Sequence, residues 1–111
     1  DNLDRILEIA NELESLVRNT PPAPDAHWLA RAQALCDRMK GHESYISNKA
    51  GNIRSRLSIY FSARKHSMNG KDPFQLQGEI IHRYIGAIRA QVDCLKMLQR
   101  HKAGENGQPP E

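Results

Sequence analysis

The chain has 111 residues, of which 39% are hydrophobic and 26% charged, and its formal net charge is +3. A chain of this length supports one hydrophobic core, and its apolar fraction is high enough for most of it to fold rather than stay disordered. No apolar stretch approaches the roughly 20 residues of a membrane-spanning helix. The composition therefore predicts one small soluble domain without a membrane partner.

Charge is distributed unevenly along the sequence. Residues 1–20 hold five acidic and two basic residues, whereas residues 44–72 hold six basic and one acidic. A charge distribution of this kind can steer anionic partners toward the protein or pair one copy of the chain with another.

The first two elements are predicted to be short amphipathic helices. Apolar residues recur every three or four positions over residues 3–18, which is the period of a helix with one buried face. The proline-rich segment 21–24 ends this helix. Asp25 then offers an N-cap for a second helix over residues 26–40, and Gly41 suits its C-terminal stop. Trp28, the only tryptophan, is expected to anchor the core.

The last two elements are predicted to be longer helices joined by a turn at residues 67–71. An apolar seam with alternating four- and three-residue spacing runs through residues 43–66. The fourth helix is expected to begin at Asp72-Pro73 and to reach residue 101 or 102, followed by a mobile tail at 103–111. The predicted fold is therefore all-α, an antiparallel four-helix bundle over residues 1–102 with two short and two long helices.

The unequal helix lengths suggest a protein-interaction surface. Two short helices cannot cover the whole apolar seam of two long ones, and a bare apolar stripe is typical of a contact with a second copy or another chain. We therefore expect a non-enzymatic regulatory or adaptor domain that acts through helix–helix contacts, either as a homodimer or with a partner protein. We expect the contact to be built from the far half of the last two helices, with the candidate anchors Tyr84, Ile88, Val92, Leu95 and Met97.

A small nucleic-acid-binding regulator is the alternative interpretation. Arginine, lysine and serine side chains on a helix supply the contacts that phosphates require, and residues 45–60 weakly resemble a helix-turn-helix with Gly51 at the turn. Asn52 departs from that motif, because an apolar residue is expected after the turn glycine. The basic residues of this alternative are Lys49, Arg54, Arg56, Arg64 and Lys65.

Catalytic and metal chemistry find little support in the sequence. Glu79 and His82 have the Glu-x-x-His spacing of di-metal bundles, but such a site requires a second pair and two further glutamates. No phosphate loop, nucleophile elbow or Cys-x-x-Cys is present. We therefore predict no catalytic residues, metal, cofactor or small-molecule substrate. Cys36 and Cys94 are expected to be buried free thiols in a reducing, cytoplasmic setting.

Overall fold

The structure, a computed structural model, describes the backbone of residues 2–66 and 72–107 and the side chains of residues 2–63 and 75–103. These residues form four helices and, within those ranges, no strand. The helices are α1 (Asn2–Arg18), α2 (Ala26–Met39), α3 (Ser44–His66) and α4 (Asp72–Gly107). The prediction of an all-α four-helix bundle is confirmed. The turn predicted at 67–71 and residues 108–111 of the predicted tail lie outside the described residues.

The ends of α2 follow from local chemistry. The Asp25 side chain caps the helix by accepting a hydrogen bond from the Trp28 backbone N–H at 2.9 Å. At the other end, the Lys40 N–H donates to two carbonyls of the last turn. Gly41 follows with a φ of +143°, a conformation that costs little only for glycine. The sharp turn into α3 therefore depends on a glycine at this position.

α4 is longer than the sequence suggests. It ends at Gly107, so residues 103–107, which we expected to belong to a mobile tail, are helical. Extending an existing helix adds one backbone hydrogen bond per residue fixed. The glycine and asparagine of this segment therefore did not stop the helix where the composition suggested.

The four helices form a closed ring of neighbours. α3 packs against α2 and α4, and α1 packs against α2 and α4. Asp4 near the start of α1 contacts Lys96, whereas Glu14 near its end contacts Arg89, so α1 and α4 run in opposite directions. The molecule is elongated, with principal extents of 62 × 23 × 20 Å, because α3 and α4 outrun the shorter helices.

The core is built from the apolar stripes that the sequence predicts. Each large aliphatic side chain that is fully buried stabilises the folded state by about 1.5–3 kcal/mol. Trp28 is buried as predicted, with its ring centroid 6.0 Å from that of Tyr60 and 6.5 Å from that of Phe61. The most completely buried large side chains are Ile6, Leu13, Met39, Ile46, Ile53, Leu57, Ile81, Ile85, Ile88 and Val92. No helix within residues 2–66 and 72–107 is long and apolar enough to cross a membrane.

Candidate functional site at the end of the bundle

The five anchors predicted on α4 do not form one surface. Ile88 and Val92 have no exposed surface, so they belong to the core of this chain rather than to an open interface. Tyr84 and Leu95 are partly buried and pack against the same core. Met97 is 63% exposed, but it lies two residues from Leu95 and hence on a nearly opposite face of the helix.

The predicted surface is not open because α1 covers it. This helix lies along the middle of α4, beside His82, Arg89 and Lys96, and covers the seam that the length argument left bare. The Arg89 guanidinium donates to both carboxylate oxygens of Glu14, at 2.7 and 3.1 Å, and to the Asn11 side-chain oxygen. Lys96 donates to Asp4. The acidic first helix therefore pairs with α4 of its own chain.

These ion pairs also affect the carboxyl groups. The hydrogen bond from Arg89 lowers the pKa of Glu14 below its usual range, and the hydrogen bond from Lys96 lowers the pKa of Asp4. A hydrogen bond to the charged form of an acid favours that form. Both carboxylates are therefore held ionised while α1 is docked on α4.

The basic residues of the nucleic-acid alternative lie on two sides of α3. Arg54 pairs with Asp37 of α2 at 3.0 Å, whereas Arg56 donates to Gln77 of α4 at 3.2 Å. Two residues along a helix correspond to about 200° of rotation, so these two guanidinium groups point in nearly opposite directions. Lys49 lies on the side of Arg56.

Two tyrosine rings flank Lys49. Its ammonium group is 5.1 Å from the ring centroid of Tyr45 and 5.6 Å from that of Tyr84, within the range of a cation–π contact. Of the predicted basic residues, Lys49 and Arg56 thus lie on one side of α3 and Arg54 lies on the other. The side chains of Arg64 and Lys65 lie outside the described residues.

The helix-turn-helix interpretation of residues 45–60 is wrong. α3 is continuous from Ser44 to His66, and Gly51 lies in its interior without a positive φ. A second helix cannot be set at an angle here, because the chain makes no turn. The seam residue Ile53, which is fully buried, continues the straight helix.

An apolar groove of about 510 Å³ lies at one end of the bundle, and we call it the end groove. Three segments build it: the start of α1, the turn between α2 and α3, and the last turns of α4. Leu3 and Ile6 come from the buried stripe of α1, and Leu95 and Leu98 come from α4. Its lining residues are Asn2, Leu3, Ile6, Gly41, His42, Glu43, Leu95, Leu98, Gln99 and Lys102.

Glu43 holds the turn side of the end groove in place. Its carboxylate accepts hydrogen bonds from the backbone N–H groups of Tyr45 and Ile46, the latter at 3.1 Å, and so caps α3. The other carboxylate oxygen accepts from the Gln91 side chain of α4. The Gln91 bond is the main reason that the pKa of Glu43 is lowered, and the backbone bonds add to it. This carboxylate therefore fixes the groove wall through its hydrogen bonds.

The α4 side of the end groove is open to solvent. Leu98 lines the groove and is 57% exposed, and its neighbour Met97 is 63% exposed. Asp4 of α1 lies beside Lys96, so α1 begins at about the level of Leu98. Residues 99–107 of α4 therefore extend roughly 13 Å beyond α1.

Sequence reasoning missed the end groove because three distant segments form it. Gly41, for example, is predicted only as the end of a helix. The sequence signal for the packing of α1 on α4 is electrostatic. The first helix is acidic, and His82, Arg89 and Lys96 recur every seven residues on the fourth. That pattern predicts the pairing of α1 with α4, and the pairing leaves the end of α4 uncovered.

The two cysteines differ in their surroundings. Cys36 is fully buried, and burial raises the pKa of its thiol to about 12. Cys94 is exposed, contrary to our expectation, because Val92 and Leu95 occupy the inward positions on either side of it. Among the described side chains, no group of three His, Cys, Asp or Glu residues is placed to hold a metal ion.

Comparison with family models, curated proteins and solved structures finds no match to this chain.

Proposed function

We propose that this chain is a non-enzymatic interaction domain that acts through helix–helix contacts, and that the end groove is where a helix of another protein binds. The observation that carries the proposal is the exposed apolar wall of the groove, formed by Leu98 at the point where α4 outruns α1. Contiguous apolar surface beside a concavity is typical of a protein contact site.

The shape of the end groove suits a helix. Residues 99–103 of α4 are exposed and lead away from the groove, which Leu3, Ile6 and Leu95 line. Helices dock in this way by placing side chains spaced three and four apart into an apolar groove. A regulatory or adaptor role follows from such binding, since it joins chains without chemical change.

The polar groups around the groove support binding rather than catalysis. Glu43 is engaged by two backbone N–H groups and by Gln91, and Asp4 is engaged by Lys96. A catalytic acid or base must reach the group that it protonates or deprotonates. Both carboxylates are instead committed to holding the helices together.

A helical peptide library selected against the whole chain tests this proposal. We expect the selected peptides to bind the wild type and Leu76→Asp, and to bind Leu98→Asp at least about tenfold more weakly, because burying an unpaired charge is unfavourable. Leu76 is the matched control, since it lies on the same helix outside the groove and is 52% exposed. Peptides that bind Leu98→Asp as tightly as the wild type would remove the groove from the proposal.

Self-association stays a prediction. The mass of the purified chain in solution, measured over a range of concentrations, tests it directly. If the end groove also joined two copies, Leu98→Asp would reduce that mass to one chain and Leu76→Asp would not.

A further inference from the structure

α3 stands at a corner of the four-helix bundle. It packs side by side with α2 and α4, whereas α1 lies diagonally across the core. A helix with two neighbours at a corner keeps one side uncovered along its whole length. For the 23 residues of α3, that length is roughly 35 Å.

The uncovered side of α3 carries a row of short, uncharged side chains. Asn48, Asn52, Ser55 and Ile59 are spaced four, three and four residues apart, so they share one face of the helix. Asn48 and Ser55 are exposed and Asn52 is half-buried, and Ile59 is 47% exposed. We call these four residues the outer row.

Cations flank the outer row on both sides. On the side of α4, Lys49 lies 5.6 Å from the ring centroid of Tyr84 and Arg56 donates to Gln77 at 3.2 Å. On the side of α2 lies Arg54. The contacts of Lys49 and Arg56 are with uncharged groups, so they hold both cations in place without neutralising them.

Acidic groups near these cations are scarce. α3 contains no aspartate or glutamate. Among the described side chains, Asp37 of α2 is the carboxylate that pairs with a cation of α3, at 3.0 Å from Arg54. Both side chains of that pair are well exposed, at 43% and 50%, and an exposed pair contributes little to stability. Arg54 can therefore exchange the carboxylate for another anion.

We infer that α3 binds duplex DNA by lying in the major groove. That groove is about 12 Å wide and admits an α-helix. Lys49 and Arg56 then reach the phosphates of one strand and Arg54 those of the other, while the outer row faces the base edges. Asparagine pairs with adenine, serine bonds to several bases, and an apolar side chain such as Ile59 suits the thymine methyl group. This inference goes beyond the proposed function and uses a different surface.

The chemistry of the outer row favours DNA over other anionic partners. Three of its four residues end in an amide or a hydroxyl group, which are groups that bond to phosphates and base edges. An acidic amphipathic helix would need an apolar stripe in their place. Double-stranded RNA is disfavoured by shape, because its major groove is too deep and narrow for protein side chains to read.

Fluorescence anisotropy with the full chain and a labelled DNA duplex of mixed sequence tests the inference. Three phosphate contacts predict that affinity falls about fortyfold between roughly 50 and 200 mM salt. An RNA duplex of the same sequence should bind more weakly. Lys49→Gln combined with Arg56→Gln leaves one contact and should reduce the salt effect to about fourfold.

A second pair of substitutions controls for net charge. Arg18→Gln combined with Arg31→Gln removes the same charge from α1 and α2, where these exposed side chains pair with Glu14 and Glu12. This variant should keep the fortyfold salt effect of the wild type. Asp37→Asn frees Arg54 and should tighten DNA binding. Thermal unfolding checks that each variant keeps its fold.

The results distinguish this inference from its competitors. Equal loss of affinity in the two double variants would show general attraction and overturn it. RNA that binds as tightly as DNA would exclude entry into the major groove, and polyglutamate that competes as well as DNA would indicate an acidic protein instead. Absence of binding at low salt would also refute it. Leu98→Asp should leave DNA binding unchanged, so the proposed function of the end groove stands or fails separately.

Discussion

The burial of Ile88 decides between two roles for this side chain: the interface anchor that the sequence predicts and the core residue that the structure shows. As an interface anchor, this side chain would be exposed in a single chain. In the structure it has no exposed surface and packs in the core between α4 and its neighbours. Ile88→Ala removes two methyl groups and a methylene from the core without adding a polar group.

The expected loss of stability follows from that burial. Each buried carbon contributes about 0.8 kcal/mol, and the remaining cavity adds to the loss, so Ile88→Ala should lower the free energy of unfolding by about 3 kcal/mol. For a domain of this size, that corresponds to a drop in Tm of about 12–24 °C. Met97→Ala, at a side chain that is 63% exposed, should change stability by no more than about 0.5 kcal/mol.

Urea unfolding followed by far-UV circular dichroism gives both free energies, with the mass in solution measured beside it. A loss below about 1 kcal/mol for Ile88→Ala, accompanied by a fall in mass, would refute the placement of Ile88 in the core. Equal losses for Ile88→Ala and Met97→Ala would contradict the exposure difference on which the reasoning depends.

Two further predictions concern titratable groups. The hydrogen bond from Arg89 lowers the pKa of Glu14 in the folded chain. The stabilisation that it gives is present above the ordinary glutamate pKa of about 4.3 and is lost as the pH falls through the lowered value. The free energy of unfolding in urea, measured between neutral and acidic pH, should therefore fall less steeply for Arg89→Met than for the wild type. A chromogenic disulfide reagent should react quickly with Cys94 alone in the folded chain and with both thiols in denaturant, because Cys36 is buried and its pKa is raised to about 12; fast reaction of both thiols without denaturant would contradict the burial of Cys36.

The elements of this fold could be predicted because each depends on local sequence. Apolar spacing places Leu13, Ile53 and Ile85 on the inner faces of their helices, and all three have no exposed surface. Asp25 and Gly41 mark helix ends through hydrogen bonding and backbone conformation, both of which act over a few residues. Such features are largely independent of how the helices are arranged.

The arrangement itself could not be predicted from apolar spacing. Any helix with an apolar stripe can cover the seam of α4, so the buried side chains Ile88 and Val92 looked the same in the sequence as an exposed interface would. Comparing helix lengths ignored where along α4 the shorter helix would lie. The charges carry that information, because Asp4 and Glu14 meet Lys96 and Arg89 only when α1 covers the middle of α4.

The ion pairs between α1 and α4 therefore connect the fold with the proposed function, because they fix where α1 begins along α4. His82, Arg89 and Lys96 lie in one row on α4 and pair with Glu14 and Asp4 of α1. Beyond that residue the helix continues with Arg100 and Lys102, but α1 no longer accompanies it. The carboxylates of Asp4, Glu14 and Glu43 are engaged in contacts within the bundle. What remains for another molecule is the apolar end groove, which opens where α4 extends beyond α1.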